Sequence, residues 1–277
     1  MPPDPATGAE DKAVAFLTRE VPAWSRENGC FSCHNNGDAA RALLAATRHG
    51  HNISVPTLAD TMAWVSRSEK WAHNQGDPGF SDQRLANLQF ATALLAAIET
   101  GFTKDREALL SASRLVATDQ DPDGAWNIER QNPVGSPATW GTTLATRMAV
   151  RILRAADATR HRAAILKAEQ WLRLARPVNV PVAAVLLMAS SDATHALSAG
   201  HQGECLALIR RAQTSDGGWG PYVDSPAESF DTALVLLALA ESRSEPGVVE
   251  MIRRGRAFLV AEQFSDGSWP ATTRPSG

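Results

Sequence analysis

With 277 residues and 44 % hydrophobic content, the chain is long enough to bury one large core. A formal net charge of −3, from 27 basic and 30 acidic residues with no basic block, gives nucleic-acid binding no electrostatic support. The longest apolar runs, 180–189 and 232–240, are about half a membrane span, so no transmembrane segment is expected.

In chain order, residues 1–10 open as Met1-Pro2-Pro3-Asp4-Pro5. They lack the basic end and apolar core of a signal peptide and are expected to be a disordered lead-in. A single domain is expected over 11–277. Within it an aromatic or apolar pair recurs roughly every 48 residues. The copies are Phe16-Leu17, Trp64-Val65, Leu115-Val116, Trp171-Leu172, Leu208-Ile209 and Phe258-Leu259. Charged amphipathic segments such as 104–118 and 246–262 alternate with Ala/Leu-rich segments such as 38–48, 85–98 and 231–240. A helix apolar on most faces is buried, and one with a single apolar stripe lies at a surface. The pattern predicts an all-α chain of about eleven helices paired as hairpins. With one Tyr and no alternating β-branched stretch, strands are not expected.

Three pairs lead into the same tail: Gln120 to Gly124 and Trp126, Gln213 to Gly217 and Trp219, Gln263 to Gly267 and Trp269. The copy at Trp171 runs into Arg176-Pro177 instead, and that at Trp64 keeps only Glu69 and Trp71. Asp-Gly or Gly-Gly supplies the positive φ of a tight turn. Gln is placed to bond backbone groups at the next helix start, and Trp to pack across the hairpin.

These tails resemble the QW repeat of the squalene-hopene and oxidosqualene cyclase family, over about residues 12–274, clearly in the C-terminal half and faintly before it. The resemblance implies an α/α toroid of about six helical hairpins, as in terpenoid cyclases and protein prenyltransferase β subunits. It also implies an apolar central cavity for an isoprenoid or related lipid. Twelve helices close such a ring, so the last inner helix is expected to be missing. An open HEAT-like solenoid is the competing architecture, but its repeats carry no such tail.

In squalene-hopene cyclases an Asp in a DxDD-T-A segment protonates the substrate alkene, just after a Gly-Gly-Trp tail. Here Gly217-Gly218-Trp219 is followed by Glu228-Ser229-Phe230-Asp231-Thr232-Ala233. Glu228 and Asp231 match the outer acidic places, whereas Phe230 stands where the proton donor belongs. The resemblance therefore leaves Asp231, with Glu228, as candidate acids for cyclisation or isomerisation. The competing role for Asp231 is a helix N-cap. Phe230 and Trp140 are the candidate cavity aromatics. The prenyltransferase branch holds zinc through Asp, Cys and His, and His201 and Cys205, four apart on one helix, are its weak match. Core packing is the competing role for Cys205.

The sharpest chemical signal is Cys30-Phe31-Ser32-Cys33-His34, the attachment pattern of c-type haem. Two thiols at this spacing can add to the vinyl groups of one haem, and the adjacent imidazole can ligate iron. His49, His51, Met62 and His73 lie within chain reach as a further ligand. Zinc held by Cys30, Cys33, His34 and one more His is the second reading. A disulfide or thiol pair is the third. A thioester is excluded, because it needs Gln where Cys33 stands. Haem places the protein in a periplasmic or secreted compartment, and its absence leaves a cytoplasmic one. The segment 73–77 reads as a solvated turn or a ligand-binding mouth. Three functional classes follow: a cyclase-like enzyme, a haem or metal redox protein, and a non-catalytic scaffold.

Overall fold

The computed structural model describes residues 5–73, 83–128, 140–191 and 197–272. Every regular element among them is helical, as the composition predicts. The α-helices are α1 (Pro5–Asn28), α2 (Ala40–Arg48), α3 (Val55–Val65), α4 (Gln83–Glu99), α5 (Arg106–Thr118), α6 (Gly141–Asp157), α7 (Arg162–Leu174), α8 (Val180–Ser191), α9 (Ala199–Ala212), α10 (Ser229–Leu239) and α11 (Val248–Glu262). A π-helical turn, Cys33–Ala39, runs directly into α2. Among the described residues no helix is long and apolar enough to cross a membrane.

Helix starts obey local chemistry. Asp105 caps α5 by accepting from the Ala108 amide at 2.9 Å, which sets the start two residues later than the charge pattern suggested. Gly247, at φ +79°, occupies the N-cap of α11, so that helix begins at Val248 rather than Pro246. The largest revision is at the beginning. The expected lead-in is helical from Pro5, and the Ala9 carbonyl accepts a hydrogen bond from Gln263 Nε2 at 2.9 Å. That partner lies 254 residues away, beyond any local reading.

The chain divides into two compact units. The N-terminal unit comprises Lys12–Ile128 with Met148–Ala168. Its centre is α4, buried along most of its length from Leu85 to Ala97, with α2, α3, α5 and the π-helical turn against it. A cluster of Val21, Ala40, Leu43, Leu44, Ile53, Leu58 and Ala97 fills the space behind the π-helical turn. The C-terminal unit comprises Met1–Asp11, Glu129–Arg147 and Glu169–Gly277. There α8 packs on α9 and α10, and α10 on α11. Although α10 is strongly apolar, its Leu237 is 63 % exposed.

The tails explain themselves in atoms. Gln120 Nε2 donates to its own Gly124 carbonyl and to Ala164 of α7, both at 2.9 Å. Gln213 does the same to Gly217 and to Met251 of α11, and Gln263 to Gly267 and Ala9 of α1. Each amide thus fastens its turn to the first turns of another helix. The indole N–H of Trp126, Trp219 and Trp269 returns to the carbonyl ten residues earlier, at Val116, Ile209 and Leu259. The turn glycines have φ of +100°, +98° and +96°, as the Asp-Gly reading requires. Gln was expected to find a free backbone group, and it finds a carbonyl inside the helix start instead.

Asp121 extends the first tail sideways. Its Oδ2 accepts from Arg84 at 2.6 Å and from the backbone and side chain of Asn127. Burial alone would raise its pKa, but the Arg84 and Asn127 bonds outweigh burial and hold the carboxyl below the usual range.

Candidate functional site

Gly29, in the left-handed region at φ +64°, ends α1 and turns the chain into the Cys30–His34 segment. Cys30 is buried, 8 % exposed, Cys33 is half-buried and His34 is exposed. None of the three cysteines of the chain, Cys205 included, is in a disulfide. Ser32 caps the π-helical turn by accepting from the Asn35 amide at 3.3 Å, and the Ser32 amide donates to Asn36 Oδ1 at 3.0 Å. Asn36 is fully buried. Its Nδ2 donates to Thr61 Oγ1 of α3 at 2.9 Å and to the Val21 carbonyl of α1. Asn35 adds a bond to the Glu20 carbonyl at 3.0 Å. Two asparagines therefore pin the thiol-bearing segment between α1 and α3.

The other side of the turn rests on α4. Gly37 lies so close to it that an added Cβ would sit 3.1 Å from Gln89 Cβ. This approach brings the Gln89 amide between two side chains four residues apart on the turn. Gln89 Nε2 donates to Asp38 Oδ2 and lies 3.3 Å from His34 Nδ1. Asp38 also pairs with Arg41 at 3.3 Å. Gln89 Oε1 is buried and has no hydrogen-bond partner. The imidazole is thus held by one nitrogen, and its Nε2 is the nitrogen left for an incoming group. π-Helical turns inside helices are frequent at functional sites.

Aromatic rings back the segment. Phe31 stacks on Trp64 with centroids 4.6 Å apart, and Trp64 meets Phe90 of α4 edge-on at 5.9 Å. Among the described residues no three His, Cys, Asp or Glu side chains converge to hold a metal ion. Met62, one of the expected further ligands, packs against the hydrophobic cluster. His49 caps the end of α2, His51 is half-buried and His73 is exposed. Residues 74–77 of the expected mouth lie outside the described residues.

The chain matches no protein-family model and no curated protein.

The segment aligned with DxDD-T-A is in the C-terminal unit and is stitched to its tail. The Trp219 amide donates to Thr232 Oγ1 at 2.9 Å, and the Glu228 amide to the Trp219 carbonyl at 2.9 Å. Glu228, not Asp231, occupies the N-cap of α10, and its side chain makes no capping bond. Asp231 is the third residue of the helix, 2 % exposed, where the amide dipoles of the first turn favour a carboxylate. Phe230, with Ser229, Ala233, Leu259, Trp269, Pro270 and Thr272, lines an apolar pocket of about 350 Å³. Neither Asp231 nor Glu228 lines it. Trp140 is buried just ahead of α6 and does not line it either. In α9, burial pushes the Cys205 thiol up to about 12, which keeps it protonated, and His201 is half-buried one turn away.

The sequence reading missed Gln89 and Asp38. The available signal was a glutamine between Leu88 and Phe90 in a helix otherwise apolar on most faces. A fully buried amide needs partners, and such a residue marks a polar task.

Proposed function

We propose that the protein carries a covalently attached haem, with Cys30 and Cys33 as the attachment thiols and His34 as the protein ligand of the iron. One observation supports this above all others. Two thiols three residues apart, neither in a disulfide, lead into an exposed imidazole whose Nδ1 is engaged and whose Nε2 is not. An imidazole bound to iron through Nε2 keeps its proton on Nδ1 and needs an acceptor there. The Gln89 atom beside Nδ1 is Nε2, a donor, so an acceptor there requires the amide to rotate and present its unpartnered Oε1. The fit of the residues present rests on the spacing of the two thiols and the open Nε2 of His34. Cys30 and Cys33 would hold the haem through its two vinyl groups, each S–H adding across one double bond with no net oxidation. Haem held there supplies one-electron chemistry or an iron position for a small ligand. Ser32, Asn35 and Asn36 fix the segment, and Asp38 holds the Gln89 amide. This reading implies a periplasmic or secreted protein.

The test is expression in a periplasm with haem-maturation machinery, followed by a pyridine haemochrome spectrum and intact mass. One haem per chain, resistant to acid extraction and lost in Cys30→Ala/Cys33→Ala, is the expected result. A chain free of haem, in cells that mature a control cytochrome, refutes the reading.

A second reading rests on the apolar pocket beside Phe230: binding of an isoprenoid or related lipid chain. Because no carboxylate among the described residues lines that pocket, the reading is of binding rather than of proton-initiated cyclisation. Farnesol titrated against tryptophan fluorescence should saturate, with Trp269 on the pocket wall as reporter. Asp231→Asn should leave the titration unchanged. Fluorescence that stays flat up to the solubility of farnesol removes this reading.

A further inference from the structure

We infer that the N-terminal unit has a binding pocket for a small organic anion, a carboxylate or phosphate carried on a flat apolar body, between the end of α1 and the end of α3. The pocket is lined by Ser25, Arg26, Gly29 and Phe31 from the first strand of chain, and by Asp60, Ala63, Trp64, Arg67 and Lys70 from the second. Its volume of about 340 Å³ lies within the range of small-molecule sites.

Three properties point to that class of ligand. The first is charge. Arg26, Arg67 and Lys70 face one carboxylate, Asp60, and none of the three makes an ion pair with a described residue. Cations left unneutralised around a concave wall raise the local concentration of anions. The second is hydrogen bonding. Ser25 Oγ and Trp64 Nε1 belong to pocket-lining residues, are buried and have no hydrogen-bond partner. Both atoms are closed to solvent as the side chains stand, so a small rotation of either side chain is what would offer its donor to a bound acceptor. The third is shape. The stacked Phe31 and Trp64 rings give the wall a rigid apolar section, which suits a flat hydrocarbon body. The guanidinium groups favour anions that present two oxygens side by side, such as carboxylate or phosphate.

The pocket stands independently of the haem reading, because neither Cys33 nor His34 lines it. One ligand chemistry has two sources here, a free organic anion or the carboxylates of a haem held on the neighbouring thiols.

The probe is 2-naphthoate, titrated by calorimetry into the full chain made in the cytoplasm without haem, with neutral 2-naphthamide in parallel. One naphthoate site per chain is expected, weakening as salt is added. Arg67→Gln/Lys70→Gln should weaken it about tenfold or more, and the amide should bind weaker by a similar factor. Both substituted residues are exposed, and a thermal melt checks that the variant is folded. No saturable naphthoate binding up to the probe's solubility overturns the inference. So does equal binding of acid and amide, or binding indifferent to Arg67→Gln/Lys70→Gln. On haem-loaded protein, retained binding identifies a separate small anion, and lost binding identifies the haem carboxylates as the occupant; either result keeps the anion site.

Discussion

Gly217→Ala is expected to destabilise the protein by roughly 3 kcal/mol, combining the positive-φ penalty with the strain of an overfilled contact. Gly217 has φ +98°, and its added Cβ would sit 2.8 Å from the Arg254 carbonyl oxygen. That oxygen belongs to α11, so relief requires the turn and the helix to separate. Separation would in turn stretch the bond from Gln213 Nε2 to the Met251 carbonyl, now 3.0 Å. A melting temperature lower by several degrees is the expected readout. Gly50→Ala is the control. Gly50 also has positive φ, +90°, but nothing lies within 4 Å of its added Cβ. It should lose only about 1–2 kcal/mol, the conformational part alone. Equal losses at the two positions would show that close approach to the neighbouring helix contributes nothing and that the tails do not hold their turns against it.

The second large effect is expected at Asn36. Its side chain accepts from the half-buried Ser32 amide and, in a fully buried setting, donates to Thr61 and Val21. Asn36→Ala removes these bonds and leaves a buried hydroxyl and a backbone carbonyl short of a partner. Each group so stranded costs about 1–3 kcal/mol, which puts the total at several kcal/mol. The consequence reaches the site, because Asn36 fastens the thiol segment between α1 and α3. Cys30, 8 % exposed in the native protein, should therefore alkylate much faster in the variant. Thr61→Ala loses one of the same bonds and should show a smaller effect in the same direction. Wild-type melting together with wild-type alkylation in Asn36→Ala would mean that the segment is held by something else.

The two substitutions probe different kinds of information. Within each tail, the bond from Gln to the glycine carbonyl spans four residues, and the indole bond spans ten. Such bonds depend on residue type and spacing, so the Gln-to-Trp tails could be read directly. The positive φ of the turn glycines is equally local. Alternation of apolar and amphipathic segments separated the buried helices from the surface ones, because burial of a helix face is written in its periodicity. Asp231 shows the limit of such reading. An acid near a helix start fits both the cap and the first turn, and the boundary between them shifts by a residue or two.

At the candidate site, sequence alone determined the residue types that can act: two thiols and an imidazole in attachment spacing. The tertiary structure decided what surrounds them. Gln89 lies 55 residues from His34, and only the packing of α4 against the π-helical turn, with no side chain at Gly37 to hold them apart, brings its amide to the imidazole. Trp64 was legible as a packing anchor, but its stack on Phe31 and its place on a basic-rimmed pocket needed α1 and α3 together. The same holds for the last tail. Gln263 was legible as bonding a backbone group at a helix start, yet nothing local says that the helix is α1 or that the group is the Ala9 carbonyl. Local hydrogen bonding and φ are set by neighbours in the chain. The choice of a distant partner is set by which apolar faces bury one another, and that is a property of the folded whole.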